Sequence, residues 1–160
     1  MNVRLKKIVA SKAFDQPKRY VFSKDLALDW NAPFFNLPGQ KVVVTSKRSL
    51  PKSAKKIKNL SLLNCKSKGR FLDPKNFIEK ISRFQINNIL LESGPNLLGS
   101  FGDVNLIDEF IFYISPEKLG SQAEYFYKGK NKINFFDNKQ FDIVEETQVG
   151  KDKKIVLRKK

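Results

Sequence analysis

Three consecutive valines followed by threonine, in "KVVVTS" at residues 41–46, constrain the fold more than any other stretch of this chain. Side chains branched at Cβ lose rotamer freedom in a helix and suit the pleat of a strand. A surface strand alternates apolar and polar residues, and this run does not. Apolar residues at every position mark a strand covered on both faces, the usual situation in a parallel sheet flanked by helices. Two neighbours share this character: "KRYVF" (18–22), which follows Gln16-Pro17, and "LSLLNC" (60–65). The connection "SKDLALDWNAPFFNLPGQ" is interrupted by prolines, and a lysine-rich link leads into the third run.

The period then changes. "DPKNFIEKISRF" (73–84) sets Asp73 as N-cap, Pro74 at the first helical position, and Phe77, Ile78, Ile81 and Phe84 at helical spacing. "NNILLE" (87–92) reads as a return to strand, and "GPNLLGSFGDVN" as a helix starting at Pro95, with Leu97, Leu98 and Phe101 on one side and Asn105 as a left-handed C-cap. "LIDEFIFYISP" is expected to be a strand with Phe110, Phe112 and Ile114 on one face. An irregular stretch follows, and "QFDIVEETQVGKDKKIVLRK" reads as a hairpin turning near Gly150, Lys151 and Asp152. Strands alternating with helices before a closing hairpin predict an α/β protein with one mostly parallel sheet, helices on its faces and an antiparallel edge. No internal repeat or dividing linker is evident, so residues 1–160 read as a single domain.

Composition narrows the chemistry. The chain has one cysteine, Cys65, and no histidine. An internal disulfide, a Cys/His zinc site and any hydrolase with a histidine base are therefore excluded, and no metal ligand set is expected. Enzymatic chemistry would have to come from carboxylates, lysines, tyrosines or a cofactor. No segment approaches the ~18 consecutive apolar residues of a membrane helix, and the first residues hold too short an apolar run for a signal peptide. A cytoplasmic protein is the expectation. The formal charge of +15, from 31 Lys and Arg against 16 Asp and Glu, has two readings. One is an anionic partner such as nucleic acid, a phosphorylated substrate or a phosphate-bearing cofactor. The other is a lysine-heavy solvated surface, in keeping with clusters such as "PKSAKKIK" and "YKGKNK" that sit in loop-like stretches. Nucleic acid finds little support, since no basic helix and no aromatic-basic interleaving on a strand is present.

The chemistry-bearing stretch is "INNILLESGPNLLGSF", residues 86–101. In open α/β sheets ligands bind beyond the C-terminal ends of the strands, where helix N-termini converge. A strand ending at Glu92 and a helix starting near Pro95 would point the amides after Gly94 into that crevice, where free N–H groups and the helix dipole attract phosphate. Gly94 would admit a ligand closely, and Gly99 would permit tight packing of helix or ligand. Glu92 conflicts with a phosphate unless it faces another part of the ligand, such as hydroxyl or amino groups of a sugar or base. A plainer account stays open: Gly-Pro is an ordinary helix start, and Glu92 then caps nearby amides.

Residues 86–120, "INNILLESGPNLLGSFGDVNLIDEFIFYISPEKLG", closely resemble the signature of the reductase domain of the bifunctional riboflavin-biosynthesis deaminase/reductase, which has a dihydrofolate-reductase-like fold. The pattern is an apolar strand ending in Glu, a Gly-Pro or similar pair, x-x-x-Gly, a short helix, Leu-Ile/Val-Asp-Glu, and a strand ending in Ile-x-Pro-x-x-Leu-Gly. "QPKRYVF" resembles the family's Gln-Pro-x-Arg strand, and "FDIVEETQVGKDKKIVLRK" its closing hairpin. The resemblance implies a dihydrofolate-reductase-like three-layer sandwich with a mostly parallel central sheet and a C-terminal antiparallel hairpin. It also implies NADPH-dependent reduction of 5-amino-6-(5-phosphoribosylamino)uracil to the ribitylamino compound, and a homodimer.

Carried over by position, Glu92 would hold substrate, while Gly94, Pro95, Asn96, Leu97, Leu98, Gly99 and Ser100 would line the NADPH site. Ser23 or Lys24 falls where the family makes another cofactor contact. No catalytic side chain is assigned, because the cofactor carries the chemistry. "MNVR" resembles the tail of the family's Asp-x-Pro-x-Leu-x-Val-Arg segment, with Met1 at the Leu position and Arg4 near the substrate's phosphate. The chain is thus expected to begin inside the reductase domain, as an N-terminally incomplete copy. Alternatives are another dihydrofolate-reductase-like pterin or pyrimidine reductase, and a noncatalytic fragment. Gly102, mid-helix where the family is usually apolar, is expected to loosen that helix by about 1 kcal/mol relative to Ala.

Overall fold

The computed structural model describes residues 16–131, 133–137 and 139–160. The residues divide into two compact units, with the break between Ile81 and Ser82.

The first unit contains β1 (Arg19–Phe22), a single helical turn α1 (Pro33–Asn36), β2 (Lys41–Thr45), β3 (Leu60–Asn64), the ribbon β4 (Ser67–Lys68) and β5 (Phe71–Leu72), and α2 (Pro74–Ile81). β1, β2 and β3 form a parallel sheet in that order, with Tyr20 opposite Val42 and Val42 opposite Ser61. β2 is central. Val43 and Val44 point to opposite faces, and both are fully buried, so the valine run is covered on both sides as expected. Each such valine contributes roughly 1.5–3 kcal/mol relative to an exposed one.

α2 begins where the sequence indicates, with the Asp73 carboxylate accepting from the Lys75 N–H at 3.0 Å. It buries Phe77 and Ile81, and the Phe77 ring meets Tyr20 and Phe22 of β1 edge-on at 5.3 and 4.8 Å. The helix is shorter than the expected 73–84. It passes at Ser82 into a 3-10 turn, Ser82–Phe84, and Gln85 takes the left-handed conformation, φ 52°, which no helix can continue. Phe84 is consequently exposed.

The second unit contains α3 (Pro95–Gly102), β6 (Glu109–Ile114), β7 (Phe141–Val149) and β8 (Asp152–Lys159). The strands form an antiparallel sheet in the order β6-β8-β7. β7 and β8 are the expected hairpin. Val149 faces Asp152 across a two-residue loop, and Gly150 at φ 62° supplies the positive φ such a loop needs at its first position. The core of this unit is aromatic: Phe110, Phe135 and Phe141 pack with Ile155 and Leu157, joined by Leu98, Phe112 and Tyr127. Phe110 meets Phe135 and Phe141 edge-on at 4.9 and 5.4 Å. α3 ends with the pair of bonds that closes a helix through a left-handed residue: Leu106 N–H to Phe101 O at 3.2 Å and Asn105 N–H to Gly102 O at 3.0 Å, with Asn105 at φ 61°.

The strand expected at 87–92 is not formed. This stretch has no regular structure, and Ile89 and Leu90 are exposed. An apolar run becomes a strand only when neighbours bond its backbone, and no strand pairs with it among the described residues. The chain is α/β as expected, with a parallel three-stranded sheet in the first unit and an antiparallel three-stranded sheet in the second among the described residues.

Candidate functional site

The N-terminus of α3 has open backbone donors. Gly94 is its N-cap, at φ −69° and ψ 169°, and no side chain among the described residues caps the helix. Pro95 has no N–H to offer, and the Leu98 N–H bonds to Gly94 O at 3.2 Å. The amides of Asn96 and Leu97 bond to no protein group among the described residues, so two donors are left open at the positive end of the helix dipole. Nothing lies within 4 Å of where a Gly94 side chain would begin. Glu92 is exposed two residues earlier.

The rest of the 94–100 stretch divides by direction. Gly94 and Asn96 are exposed, and Pro95, Leu97 and Ser100 are half-buried. Ser100 Oγ donates to Leu97 O at 2.8 Å. Leu98 packs into the aromatic core. Gly99 is buried because another backbone crosses it: a Cβ there would lie 2.5 Å from Gly129 N and from Lys128 C. Of the two roles open to Gly99, the structure thus shows helix packing.

The crossing segment runs along α3 and is anchored at both ends. Lys128 N–H bonds to Pro95 O at 3.1 Å. The Asp103 carboxylate accepts from the N–H groups of Lys130 and Asn131, each at 2.9 Å. Tyr127 lies over Gly102. Gly102 is therefore the last residue of α3 and a landing place for an aromatic ring, where the sequence had suggested a loosened helix interior. Asp103, Tyr127 and Gly129 were missed from sequence. The available signal was the i, i+3 spacing of Gly99 and Gly102, which clears one face of a helix for a close neighbour.

Ser23 and Lys24 belong to the first unit, at the C-terminal end of β1. Ser23 N–H extends the parallel ladder to Val44 O at 2.9 Å. The Lys24 carbonyl accepts from Thr45 Oγ1, Ser46 Oγ and the Ser46 N–H at 2.8, 2.9 and 3.2 Å. The Asn64 amide reaches the carbonyls of Ser46 and Lys47 at 3.1 and 3.0 Å. The three strand ends are thus tied together by side chains. Lys24 Nζ is engaged by Gly69 O at 3.1 Å, and Leu26, two residues on, holds a φ of 62° that is costly for a leucine. Met1 and Arg4, the other expected substrate contacts, lie outside the described residues.

Two open grooves, of about 420 and 660 Å³, are lined by neither Glu92, residues 94–100, Ser23 nor Lys24. Among the described residues no group of three Cys, Asp or Glu side chains could hold a metal ion, and no helix is long and apolar enough to cross a membrane.

Comparison with known proteins decides the family. The family model for the RibD C-terminal domain matches residues 1–154. The chain belongs to the RibD C-terminal domain family. Its relatives include the riboflavin biosynthesis protein RibD of Buchnera aphidicola subsp. Baizongia pistaciae, 42% identical over 98 residues, which are 61% of this chain and 26% of that protein. Another is the 5-amino-6-(5-phosphoribosylamino)uracil reductase of Buchnera aphidicola subsp. Acyrthosiphon pisum, 29% identical over 111 residues, 68% of this chain and 54% of that protein. The chain thus spans about a quarter of the RibD relative and about half of the reductase. Among solved structures, Acinetobacter baumannii RibD superposes with a TM-score of 0.75 at 23% identity, covering 99% of this chain and 42% of that one. The fold of this RibD C-terminal domain is accordingly the dihydrofolate-reductase-like α/β arrangement.

Proposed function

We propose that the chain performs the NADPH-dependent reduction of 5-amino-6-(5-phosphoribosylamino)uracil to its ribitylamino product, in the cytoplasm and as a homodimer. The observation that carries this reading is the start of α3. In a chain of the RibD C-terminal domain family, it combines an exposed glycine N-cap with two amides that bond to nothing among the described residues. These features suit a phosphate of a dinucleotide. Gly94 leaves room, Pro95 presets the first helical turn, and the Asn96 and Leu97 amides donate, with the helix dipole adding about 0.3–1 kcal/mol per charge. Glu92, just upstream, faces the sugar or pyrimidine hydroxyl and amino groups, which removes the conflict between a carboxylate and a phosphate site. By the family resemblance, Ser23 or Lys24 would make another cofactor contact, and Arg4 and Met1 would belong to the substrate side. Bound NADPH would supply hydride to the anomeric carbon of the ribose, and the protein's part is to hold the two reactants in register.

The test is a thermal-shift titration with NADPH and NADH, paired with turnover followed by loss of NADPH absorbance on adding substrate. NADPH should raise the melting temperature, with NADH weaker because the added phosphate meets a basic surface. No shift at millimolar NADPH would overturn the proposal. The exposure of Ile89 and Leu90 favours a second reading, a chain that binds cofactor without turnover. A shift without turnover would select it.

A further inference from the structure

We infer that the first unit carries a separate nucleotide-binding groove, at the opposite end of the parallel strands from Ser23 and Lys24. The groove, about 660 Å³, includes Trp30, Phe35, Leu37, Lys41, Lys56 and Lys58 in its lining. Lys41 opens β2 and Asn59 immediately precedes β3, so the groove lies at the N-terminal ends of these strands. Its volume falls in the range of small-ligand sites.

Three observations converge on an anion carrying a flat ring. Among the described residues no Asp or Glu lines the groove, whereas three lysines do. Asp29, close by in sequence, is engaged locally, its carboxylate accepting from the Asn31 N–H at 3.0 Å. The second observation is Lys41 itself, only 3% exposed. Its ammonium donates to Leu37 O at 2.8 Å and Gly39 O at 3.4 Å, and no carboxylate pairs with it among the described residues. A buried ammonium has three hydrogens to place and a charge to balance. An incoming phosphate would balance that charge and take the remaining hydrogen. The third is the aromatic wall: Trp30, half-buried, is backed by the buried Phe35 at 5.1 Å between ring centroids. A tryptophan held by a second ring presents a firm stacking surface. The side chains of Asn31, Asn36 and Asn59, also in the lining, offer both donors and acceptors for the edge of a base. A nucleoside monophosphate combines the three requirements.

Trp30 is the chain's one tryptophan, so its fluorescence reports on this groove alone. The full chain is titrated with AMP, UMP, adenosine, inorganic phosphate and a single-stranded oligonucleotide. AMP and UMP should quench Trp30 saturably, with adenosine and phosphate each at least about tenfold weaker. The double variant Lys56→Ala/Lys58→Ala changes two exposed side chains and should keep its fold. It should weaken AMP by about tenfold or more while its NADPH thermal shift stays as in the parent, which separates this groove from the reductase site. Absence of saturable quenching up to about 10 mM nucleotide, adenosine binding as well as AMP, or an unaffected double variant would each overturn the inference. An oligonucleotide binding about a hundredfold more tightly than AMP would also overturn it and assign the groove to nucleic acid.

Discussion

Tyr127 lays its ring across Gly102, so that a Cβ on the glycine would sit 2.6 Å from the phenol oxygen and 2.8 Å from Cε2. One turn earlier, the backbone of Lys128 and Gly129 crosses Gly99. The two glycines let an otherwise irregular segment lie directly on α3, and its bonds to Pro95 and Asp103 fix its position. The helix whose start is the candidate cofactor site is therefore held along its length by a loop.

Replacing Gly99 with alanine tests that contact. Helix propensity alone favours alanine by about 1 kcal/mol, whereas overpacking a close contact costs roughly 1–3 kcal/mol. Backbone atoms at 2.5 Å cannot rotate aside, so the steric cost should win. Gly99→Ala should lower stability to urea by up to about 2 kcal/mol. Gly102→Ala meets only a side chain, which can shift, and should fall within about 1 kcal/mol of the parent. The reverse order of the two would show that the segment does not lie on Gly99.

Tyr127→Phe should do the opposite. The phenol oxygen is buried with no hydrogen-bond partner among the described residues, while the ring meets Phe135 edge-on at 5.5 Å. Phenylalanine keeps that packing and removes an unsatisfied group that costs about 1–3 kcal/mol to bury. The melting temperature should rise, by about 2–4 °C for each kcal/mol gained. A fall of that size would reveal a partner for the hydroxyl.

The contrast between Val43 and Leu90 shows what could be read in advance. Val43 sits in a run apolar on both faces, and such a run has one low-energy destination, the middle of a sheet. The Asp73-Pro74 start of α2 and the Gly150 turn were equally legible, because each is settled by a residue's own chemistry within a few positions. Leu90 sits in an equally apolar run, yet strand formation depends on a partner that the run does not itself encode, and its backbone has none among the described residues. The candidate site divided the same way. The open amides follow from Gly94-Pro95, but the loop over Gly99 is a contact between positions about thirty residues apart, and only the paired glycines hinted at it.

Cys65 offers a probe of opening in the first unit. The thiol is 1% exposed, and its Sγ–H points to Asp73 O at 3.4 Å. Burial raises its pKa above the ordinary 9.0, with the Asp73 carboxylate adding to the effect. The native thiol therefore keeps its proton where the unfolded one loses it. Above pH 9.0 the unfolded state binds fewer protons, so the contribution of Cys65 to stability is complete below that pH and declines as pH rises through the folded-state value. A disulfide reagent at pH 8 should leave the native chain unmodified and label it stoichiometrically in denaturant. Rapid native labelling would mean that the site opens locally. Cys65→Ser should flatten the decline in stability above pH 9.0.

Gly94 allows the cofactor proposal to be separated from folding. Its dihedrals suit any L-residue, and a side chain there meets nothing within 4 Å. Aspartate at an N-cap accepts from the second or third amide of the helix, here Asn96 and Leu97, and improves on glycine by a few tenths of a kcal/mol. The same carboxylate would occupy the donors proposed for phosphate and add a like charge beside it. Gly94→Asp should therefore be as stable as the parent or slightly more so, yet lose about tenfold or more in NADPH affinity by thermal shift or fluorescence titration. Gly94→Asn caps the same amides without the charge and should fall between the two. A phosphate bound at this helix start cannot be indifferent to both substitutions, so an NADPH affinity unchanged in Gly94→Asp would move the cofactor away from α3 even if the chain proved to be an active reductase.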